Sequence, residues 1–304
     1  MGAGAGQQRR QDAWQRDEGS HAVSTDLEFF LIGADHRTRW AFGAPGSPVR
    51  LAEIPTGLQG ASFEHDWQQI VGLDGALHRG TTDLQGEVQL KVWVSDPRSS
   101  AWARRQHALW RESLGRGRST CRLVVVSRES GYWWLDCRAD NVSEADYMGE
   151  HSKPGAVGET GEIVKLISDR SFWYRFDETR VFDRDSCRGA SLANLGDQPA
   201  WLRWTVAGGH DGVVIGIGDD TVTLPAQKTL DAGYVIDTDP LWPSITDTTG
   251  VNLQASLPAA YWRTPLPARG DARGGSTPLT ISPVNPRENF RVEVAYTPRT
   301  EQAW

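Results

Sequence analysis

Cysteine is scarce in this sequence: Cys121, Cys137 and Cys187 are the only three among 304 residues. They are too few and too scattered for a disulfide framework, and none forms a CxxC metal-binding pair. We interpret them as reduced thiols of a protein made in a cytosol. The seven histidines offer no metal spacing either, because no two lie within five residues of each other and HExxH is missing. We therefore expect no metal and no other cofactor.

Long hydrophobic runs and an excess of basic charge are also missing. No stretch of about 18 apolar residues occurs, and no apolar segment follows the arginines near the N-terminus. These features predict neither a membrane span nor a signal peptide. Lys and Arg number 32 against 39 Asp and Glu, which gives a net charge of -7. Primary binding to nucleic acid is therefore disfavoured.

Motifs of nucleotide-binding and triad enzymes do not occur, since GxxxxGK[ST], GxSxG and a complete GxGxxG are all missing. An enzyme would have to rely on paired carboxylates, as glycosidases do. The candidates are Asp219, Asp220, Asp237 and Asp239. Each lies where a turn or a strand end is expected, so a glycosidase is the least favoured alternative. The GGHDG run at 208–212 is likewise interpreted as a turn, and the RGD tripeptide at 269–271 as a chance match in a loop.

What the sequence has in quantity is glycine (32), proline (16) and tryptophan (14). Glycine and proline at this level favour many short strands and turns over long helices. Apolar runs and period-two alternation predict strands at Leu27 to Ile32, Trp40 to Phe42, Glu87 to Val94, Cys121 to Ser127, Tyr132 to Arg138, Glu162 to Ser168, Ala200 to Val206, Gly212 to Ile217, Thr221 to Leu224, Gly233 to Asp237 and Asn289 to Tyr296. The fold class predicted is mainly β.

One helix is predicted, from Pro97 to Leu114. Asp96 suits the N-cap, Pro97 the first helical position and Gly115 the position after the end. The expected buried stripe consists of Trp102, Leu109, Trp110 and Leu114, and the other faces carry Arg104, Arg105, Arg111 and Glu112. We expect this helix to lie flat on the sheet.

The composition divides the chain into three parts. Residues 1–24 lack periodicity and are expected to form a flexible arm. Residues 25–185 are expected to form an α+β domain with a Gly-rich flap at 149–161, and residues 186–304 an antiparallel β-sandwich with an exposed loop at 265–276. The boundary rests on a shift in composition near Asp183 to Gly189.

The second domain carries the most specific resemblance in the chain. The stretch NLGDQPAWLRWTVAG at 194–208 resembles a recurrent signature of siphophage minor tail proteins, of the distal tail protein family. The likeness continues through DTDPLW at 237–242, with Asp247 and GVN at 250–252 after it, and through the aromatic and basic tail at 296–304. In the first domain SDRSFW at 168–173 is similar to the end of the family's ring-forming domain.

This resemblance implies an architectural function without catalytic residues. Distal tail proteins have a belt-like α+β domain that assembles into a ring, usually a hexamer, and a galectin-like β-sandwich outside it. The implied partners are further copies of the chain, the tail tube protein, the tape-measure protein and the tail-tip or baseplate proteins. DNA would pass through the lumen without specific binding, and the implied location is the distal end of the tail in the virion, after synthesis in the host cytoplasm.

Two adjacent tryptophans suggest where ring subunits meet. Trp133 and Trp134 point to opposite faces of one strand, so at least one is expected to meet a neighbour or solvent. We expect the exposed member of the pair to contribute to the ring contact together with Arg104, Arg105 and Arg111. The main alternative function is a carbohydrate- or receptor-binding tip module that holds host cell-wall glycan on aromatic residues of the sandwich.

Overall fold

The structure is a computed structural model that describes residues 27–72, 74–149, 158–227, 233–257, 260–271 and 275–304. The arm expected over residues 1–24 lies outside the described residues, as does most of the flap expected at 149–161.

Strands dominate the described residues, and a single α-helix accompanies them. The first half contains β1 (Leu27–Ile32), β2 (Arg39–Phe42), β3 (Val49–Leu51), β4 (Phe63–Gln69), β5 (Ala76–Asp83), β6 (Gly86–Ser95), α1 (Ser100–Ser113), β7 (Cys121–Ser127), β8 (Gly131–Val142), β9 (Asp146–Gly149), β10 (Gly158–Ser168) and β11 (Trp173–Tyr174). The second half contains β12 (Glu178–Asp183), β13 (Ser191–Leu192), β14 (Leu202–Ala207), β15 (Val213–Ile217), β16 (Asp220–Leu224), β17 (Gly233–Asp237), β18 (Ser244–Asp247), β19 (Thr277–Pro283), β20 (Arg291–Tyr296) and β21 (Arg299–Thr300). Short 3₁₀ turns occur at Gly115–Gly117 and Gln254–Ser256. The prediction of a mainly β fold with one helix is confirmed.

The first half is built on one large sheet with the strand order β2-β1-β7-β8-β10-β6-β3. The predicted hairpins are present, because β1 pairs antiparallel with β2 and β7 with β8. Alternate residues of these strands are buried, and with Trp110 of α1 they form one hydrophobic core. The helix packs against β6 and β10 and so covers this core.

The second half is an antiparallel sandwich of two sheets. One sheet has the order β12-β20-β14-β17-β18 and the other β13-β19-β15-β16. Their buried side chains, such as Trp204 and Val292 from the first sheet and Ile215 and Ile281 from the second, share a core. The alternation predicted for the C-terminal strand is confirmed, since Phe290, Val292, Val294 and Tyr296 are all buried.

Each half of the chain contributes a strand to a sheet of the other half. Strand β12, which precedes the expected boundary, pairs with β20 of the sandwich. In the opposite direction, the C-terminal β21 pairs with β11 of the first half, and Ala303 is fully buried in the first core. A domain boundary at 185/186 stays a prediction. Wherever the boundary is placed, the C-terminal tail returns from the sandwich to the first half.

The helix begins three residues later than predicted. Asp96 is not the cap, because its carboxylate accepts hydrogen bonds from the backbone N–H of Arg98 at 3.0 Å and from the guanidinium of the same residue at 2.9 and 2.6 Å. The hydroxyl of Ser99 caps instead and accepts from the N–H of Trp102 at 3.4 Å. The helix ends at Ser113, one residue before the predicted Leu114, which is the C-cap, and Gly115 follows it at a φ of +63° as predicted.

The buried face of the helix also differs from the predicted stripe. Ser100, Ala103, Trp110 and Ser113 face the sheet, whereas Trp102 and Leu109 are 38% and 43% exposed. Trp102 and Leu109 each directly precede a buried residue, Ala103 and Trp110, and so lie about 100° around the helix from the side chains that face the sheet. The expectation that Trp102 and Leu109 are buried is therefore wrong.

Two predicted loops need correction. Gly158 to Gly161 belong to β10 and pair with β9, so this part of the expected flap is a paired strand. In the expected exposed loop at 265–276, Leu266 and Ala268 are buried and Leu266 pairs with the backbone of Ala200. Periodicity did not reveal the contact of Leu266, because it depends on a partner distant in the sequence.

Candidate functional site

The candidate catalytic carboxylates lie in turns or at strand ends. Asp220 begins β16, and its Oδ2 accepts hydrogen bonds from the backbone N–H groups of Arg263 and Thr264 at 2.6 and 2.7 Å. Asp237 accepts from the backbone of Asp239 at 3.0 Å, and Asp239 from the backbone of Leu241 at 2.9 Å. Three of the four carboxylates therefore stabilise the local backbone by accepting hydrogen bonds from its N–H groups.

The GGHDG run forms a tight connection around a buried histidine. Nδ1 of His210 accepts a hydrogen bond from the N–H of Gly212 at 3.1 Å, and the His210 backbone pairs with Gln227. Burial lowers the pKa of His210, and the charge of Asp211 only partly offsets this. The imidazole is therefore neutral, and the hydrogen bond that it accepts from Gly212 stabilises the turn.

Metal and membrane chemistry receive no support from the described ranges. Within them, no group of three or more His, Cys, Asp or Glu side chains is arranged to hold a metal ion. None of the helices in the same part of the chain combines the length and apolar character needed to cross a bilayer.

The backbone N–H of Arg269, in the RGD tripeptide, donates to the carbonyl of Gly196 and so ties this loop to the signature stretch.

The two adjacent tryptophans of β8 have different environments. Trp133 is 4% exposed, belongs to the first core and donates from Nε1 to the hydroxyl of Ser130 at 3.2 Å. Trp134 points to the opposite face and is only partly buried. The expected contact therefore falls to Trp134, because Trp133 is enclosed within its own chain.

Trp134 belongs to a surface cluster with Tyr132 and Phe176, which we call the Tyr132 patch. The Tyr132 and Trp134 rings are parallel with centroids 5.9 Å apart, and the Phe176 ring meets Trp134 edge-on at 4.6 Å. Phe176 is 63% exposed. The guanidinium of Arg122 lies 4.7 Å from the centre of the Trp134 ring and adds a cation to the patch.

The helix arginines do not join this patch. Trp134 faces away from the core that α1 covers, so the two parts of the predicted ring contact lie on different sides of the first half. Arg104 and Arg105 are exposed on α1, and the Arg105 guanidinium lies 5.1 Å from the ring of Trp102. Arg111 is bound within the chain, to Glu162 and to the carbonyl of Ser143.

Glu162 is the buried charge that fixes the helix to the sheet. Its side chain is inaccessible to solvent and binds His107 Nε2 at 3.0 Å, Trp110 Nε1 at 2.6 Å and Arg111 Nε at 2.7 Å. Desolvation alone would raise the pKa of Glu162, but the hydrogen bond from His107, the charge of Arg111 and the bond from Trp110 together hold it below its ordinary value. The carboxylate is thus charged and structural.

A feature that sequence reasoning missed is the β4–β5 hairpin. Every side chain position of both strands except Gly80 is exposed. Its large apolar side chains in contact with solvent are Phe63, Trp67, Ile70, Val71 and Leu77. The signal that was available is the alternation of Phe63, His65 and Trp67, whose rings follow each other at 5.1 and 5.7 Å along one face.

The signature stretch anchors the C-terminal tail. The hydroxyl of Tyr296 donates to the carbonyl of Ala193 at 2.7 Å and accepts from the N–H of Leu195 at 3.1 Å. Gly196 lies so close to the tail that a Cβ atom there would be 2.0 Å from the carbonyl oxygen of Arg299. The residues that carry the resemblance therefore have a packing role between the two halves.

Comparison with known proteins gives a fold likeness. No family model and no curated protein matches the chain. Among solved structures, the chain is similar to SPP1 Dit (gp 19.1), described as a paradigm of the hub adsorption apparatus in phages that infect Gram-positive bacteria, with 13% identity, a TM-score of 0.62 and coverage of 89% of this chain and 98% of that chain. It is also similar to a chain of the phage P2 baseplate in its activated conformation with Ca, with 10% identity, a TM-score of 0.50 and coverage of 91% and 99%. The chain thus shares the fold of phage hub and baseplate proteins along nearly its whole length.

Proposed function

We propose that this chain is a structural component of the distal end of a siphophage tail, in which copies assemble into a ring. The observation that carries the proposal is the fold likeness to SPP1 Dit across 98% of that protein, with both halves of this chain included. The proposal assigns the first half to a belt-like ring-forming domain and the second to a galectin-like sandwich outside the ring. No catalytic role is assigned.

The β4–β5 hairpin supports self-association on physical grounds. A lone two-stranded hairpin is marginally stable in water, and this one exposes five large apolar side chains. An exposed apolar surface of this kind is typical of a protein interface. In the proposed ring, the hairpin of one copy packs on the first half of the next copy.

The Tyr132 patch is the second proposed contact. Aromatic residues and arginine are enriched in the core of protein interfaces, and the patch offers both. Persistent contacts bury more than about 1,000 Å² in total, which the patch and hairpin would have to share. Arg104 and Arg105 stay candidates for polar contacts at the edge of such an interface, while Trp133 and Arg111 act within the chain.

The proposed ring joins the tail tube to the tail tip. Its partners would be the tail tube protein, the tape-measure protein and the tip or baseplate proteins, and its location would be the distal tail of the virion. A net charge of -7 per chain is compatible with an acidic lumen through which DNA passes without sticking, because like charges repel. An inner wall lined with basic side chains would contradict this part of the proposal.

The first test is the mass of the purified chain in solution. Multi-angle light scattering with negative-stain images should reveal a closed ring, at about 200 kDa for six chains of 33.6 kDa. Where the isolated chain is monomeric, mixing with the tail tube protein should recruit it into a ring at the end of the tube. A chain that stays monomeric alone and in that mixture would contradict the proposal.

A further inference from the structure

The outer face of α1 carries a stripe of exposed side chains. Trp102, Arg105 and Leu109 follow each other at intervals of three and four residues, so they share one side of the helix. Trp102 and Leu109 are 38% and 43% exposed, and Arg105 is exposed as well. We call these three residues the Trp102 stripe. Because the opposite side of the helix is the one that packs on the sheet, the stripe is a second, separate surface of α1.

The Trp102 stripe is positively charged. The guanidinium of Arg105 lies 5.1 Å from the centre of the Trp102 ring, and that of Arg98 lies 3.8 Å from the same ring. Asp96 neutralises Arg98, but Arg105 has no carboxylate partner among the described residues. The single carboxylate of α1, Glu112, lies two turns further along the helix than Arg105. The stripe therefore suits a partner that brings negative charge and apolar surface together.

The β4–β5 hairpin carries a surface of this kind. Alternation along β4 places Glu64 and Asp66 on one face of the hairpin, and the cross-strand pair of Gln68 and Leu77 continues this face. We call it the Leu77 face. The opposite face carries a row of rings, those of Phe63, His65, Trp67 and His78. In the part of the chain that the structure describes, the side chains of Glu64 and Asp66 form neither an ion pair nor a hydrogen bond, so both charges are open to another surface.

Within one chain these two surfaces do not meet. The hairpin ends at Asp83, directly before the Gly86 end of β6, whereas α1 follows the Ser95 end of the same strand. A strand of ten residues spans about 30 Å. All hairpin strand positions except Gly80 are exposed, which shows that the hairpin does not lie on its own helix. Contact between the two surfaces therefore needs two copies of the chain.

We propose that the Leu77 face of one copy docks on the Trp102 stripe of the next copy, with Glu64 and Asp66 opposite Arg105. This inference rests on the ring of the proposed function and names the surfaces that meet in it. The two surfaces have similar lengths, because four residues of strand extend about 13 Å and seven residues of helix about 10 Å. Leu77 lies at the apolar end of its face and packs on the aromatic and aliphatic members of the stripe.

The proposed contact also accounts for a ring instead of a simple dimer. A patch that complements itself joins two copies and stops there, whereas two different complementary surfaces join copies head to tail and form a ring when the rotation closes. Charge enforces the second arrangement here. Two basic stripes repel each other, as do two acidic hairpin faces, so only the contact between hairpin and helix is attractive.

Charge reversal on the full chain tests the contact. Arg105→Glu and Glu64→Arg each place like charges opposite one another, so half-assembly should need about tenfold more protein. An equimolar mixture of the two variants should regain the ring, because alternating copies then join each native hairpin to a native stripe and each reversed hairpin to a reversed stripe. Light scattering as a function of concentration measures assembly, with the tail tube protein present if the unchanged chain is monomeric alone.

Arg269→Glu is the matched control. Arg269 is exposed on the sandwich, and its reversal changes the net charge as much as Arg105→Glu does, so this variant should assemble like the unchanged protein. Leu109→Ser tests the stripe without a change of charge and should also weaken assembly. Circular dichroism checks that each variant is folded.

The outcomes separate this inference from the proposed function. If the unchanged protein forms a ring and either Arg105→Glu or Leu109→Ser assembles as well as Arg269→Glu, the inference is overturned and the ring depends on other contacts. A mixture of Arg105→Glu and Glu64→Arg that stays unassembled also overturns it, because the two surfaces then do not meet each other. If the unchanged protein forms no ring, alone or with the tail tube protein, the proposed function fails and this inference fails with it.

Discussion

The carboxylate of Asp197 accepts a hydrogen bond from the hydroxyl of Thr300 at 2.9 Å, across 103 residues of chain. Its other oxygen accepts from the backbone N–H of Glu301 at 2.9 Å. Because Thr300 lies in β21, which pairs with β11 of the first half, Asp197 links the sandwich to the first sheet. The signature stretch therefore explains how the C-terminal tail is held against both halves.

Gly196→Ala should destabilise the protein, because the added Cβ would lie 2.0 Å from the carbonyl oxygen of Arg299. The tail would have to move, and overpacking of this kind costs about 1 to 3 kcal/mol. Urea denaturation followed by tryptophan fluorescence measures the change. Gly80→Ala is the control, since nothing lies within 4 Å of the Cβ position there. Equal unfolding midpoints for the two variants would contradict the close approach.

Glu162→Gln should lower the free energy of unfolding by about 3 kcal/mol at neutral pH. This is near the low end of the cost of breaking a buried ion pair, because Arg111 is 36% exposed. The pKa of Glu162 is held below its ordinary value of 4.5, so its stabilising contribution is complete above 4.5 and is lost as the pH falls through the lower, folded-state pKa. The variant lacks this contribution and should lose less stability on acidification. Denaturation curves at neutral and acidic pH measure both effects. Glu129→Gln, at an exposed turn, should follow the unchanged protein, and an equal acid loss in both variants would exclude the role of Glu162.

Leu77→Ser should weaken ring assembly, because Leu77 is one of the apolar side chains that the β4–β5 hairpin exposes. The side chain is 55% exposed, so the fold should keep its melting temperature. Light scattering as a function of concentration measures the assembly. Val284→Ser changes a similarly exposed aliphatic side chain, at 52%, on the sandwich. If both variants assemble equally well, the hairpin is not a subunit contact.

Trp134→Asp and Trp133→Asp should affect different properties: the first should affect assembly and the second the fold. Trp134 lies in the partly exposed Tyr132 patch, so its replacement should reduce the ring fraction while the circular dichroism spectrum stays unchanged. Trp133 is buried, and a carboxylate in its place would be charged without a partner, so this variant should unfold. An undiminished ring in Trp134→Asp would count against the patch as a contact.

Sequence patterns predicted those elements whose burial follows a regular period. The bounds of β1, β7 and β17 agree residue by residue with the predicted strands, because apolar runs bounded by turn residues mark buried strands. Alternation also separated Trp133 from Trp134, but it could not tell which face of the strand meets the core, since that depends on where α1 and the other strands lie.

Features that no regular pattern of burial marks escaped prediction. Asp96 and Ser99 are both good caps by residue type, and in the structure Ser99 caps the helix while Asp96 binds Arg98. The β4–β5 hairpin buries no face, and the short alternation of Phe63, His65 and Trp67 was too weak a signal to predict it.

All three cysteine thiols should resist labelling in the native protein. Cys121, Cys137 and Cys187 are free and buried, and desolvation raises the pKa of Cys121 to about 12 and of Cys187 to about 11. Because the thiolate is the reactive species, the rise from 9.0 to about 12 reduces the reactive fraction of Cys121 about a thousandfold. Ellman's reagent should therefore react slowly with the folded chain and at once with all three thiols in denaturant. Immediate labelling of one thiol in the folded protein would mean that its part of the core opens to solvent, and peptide mapping would identify which half does so.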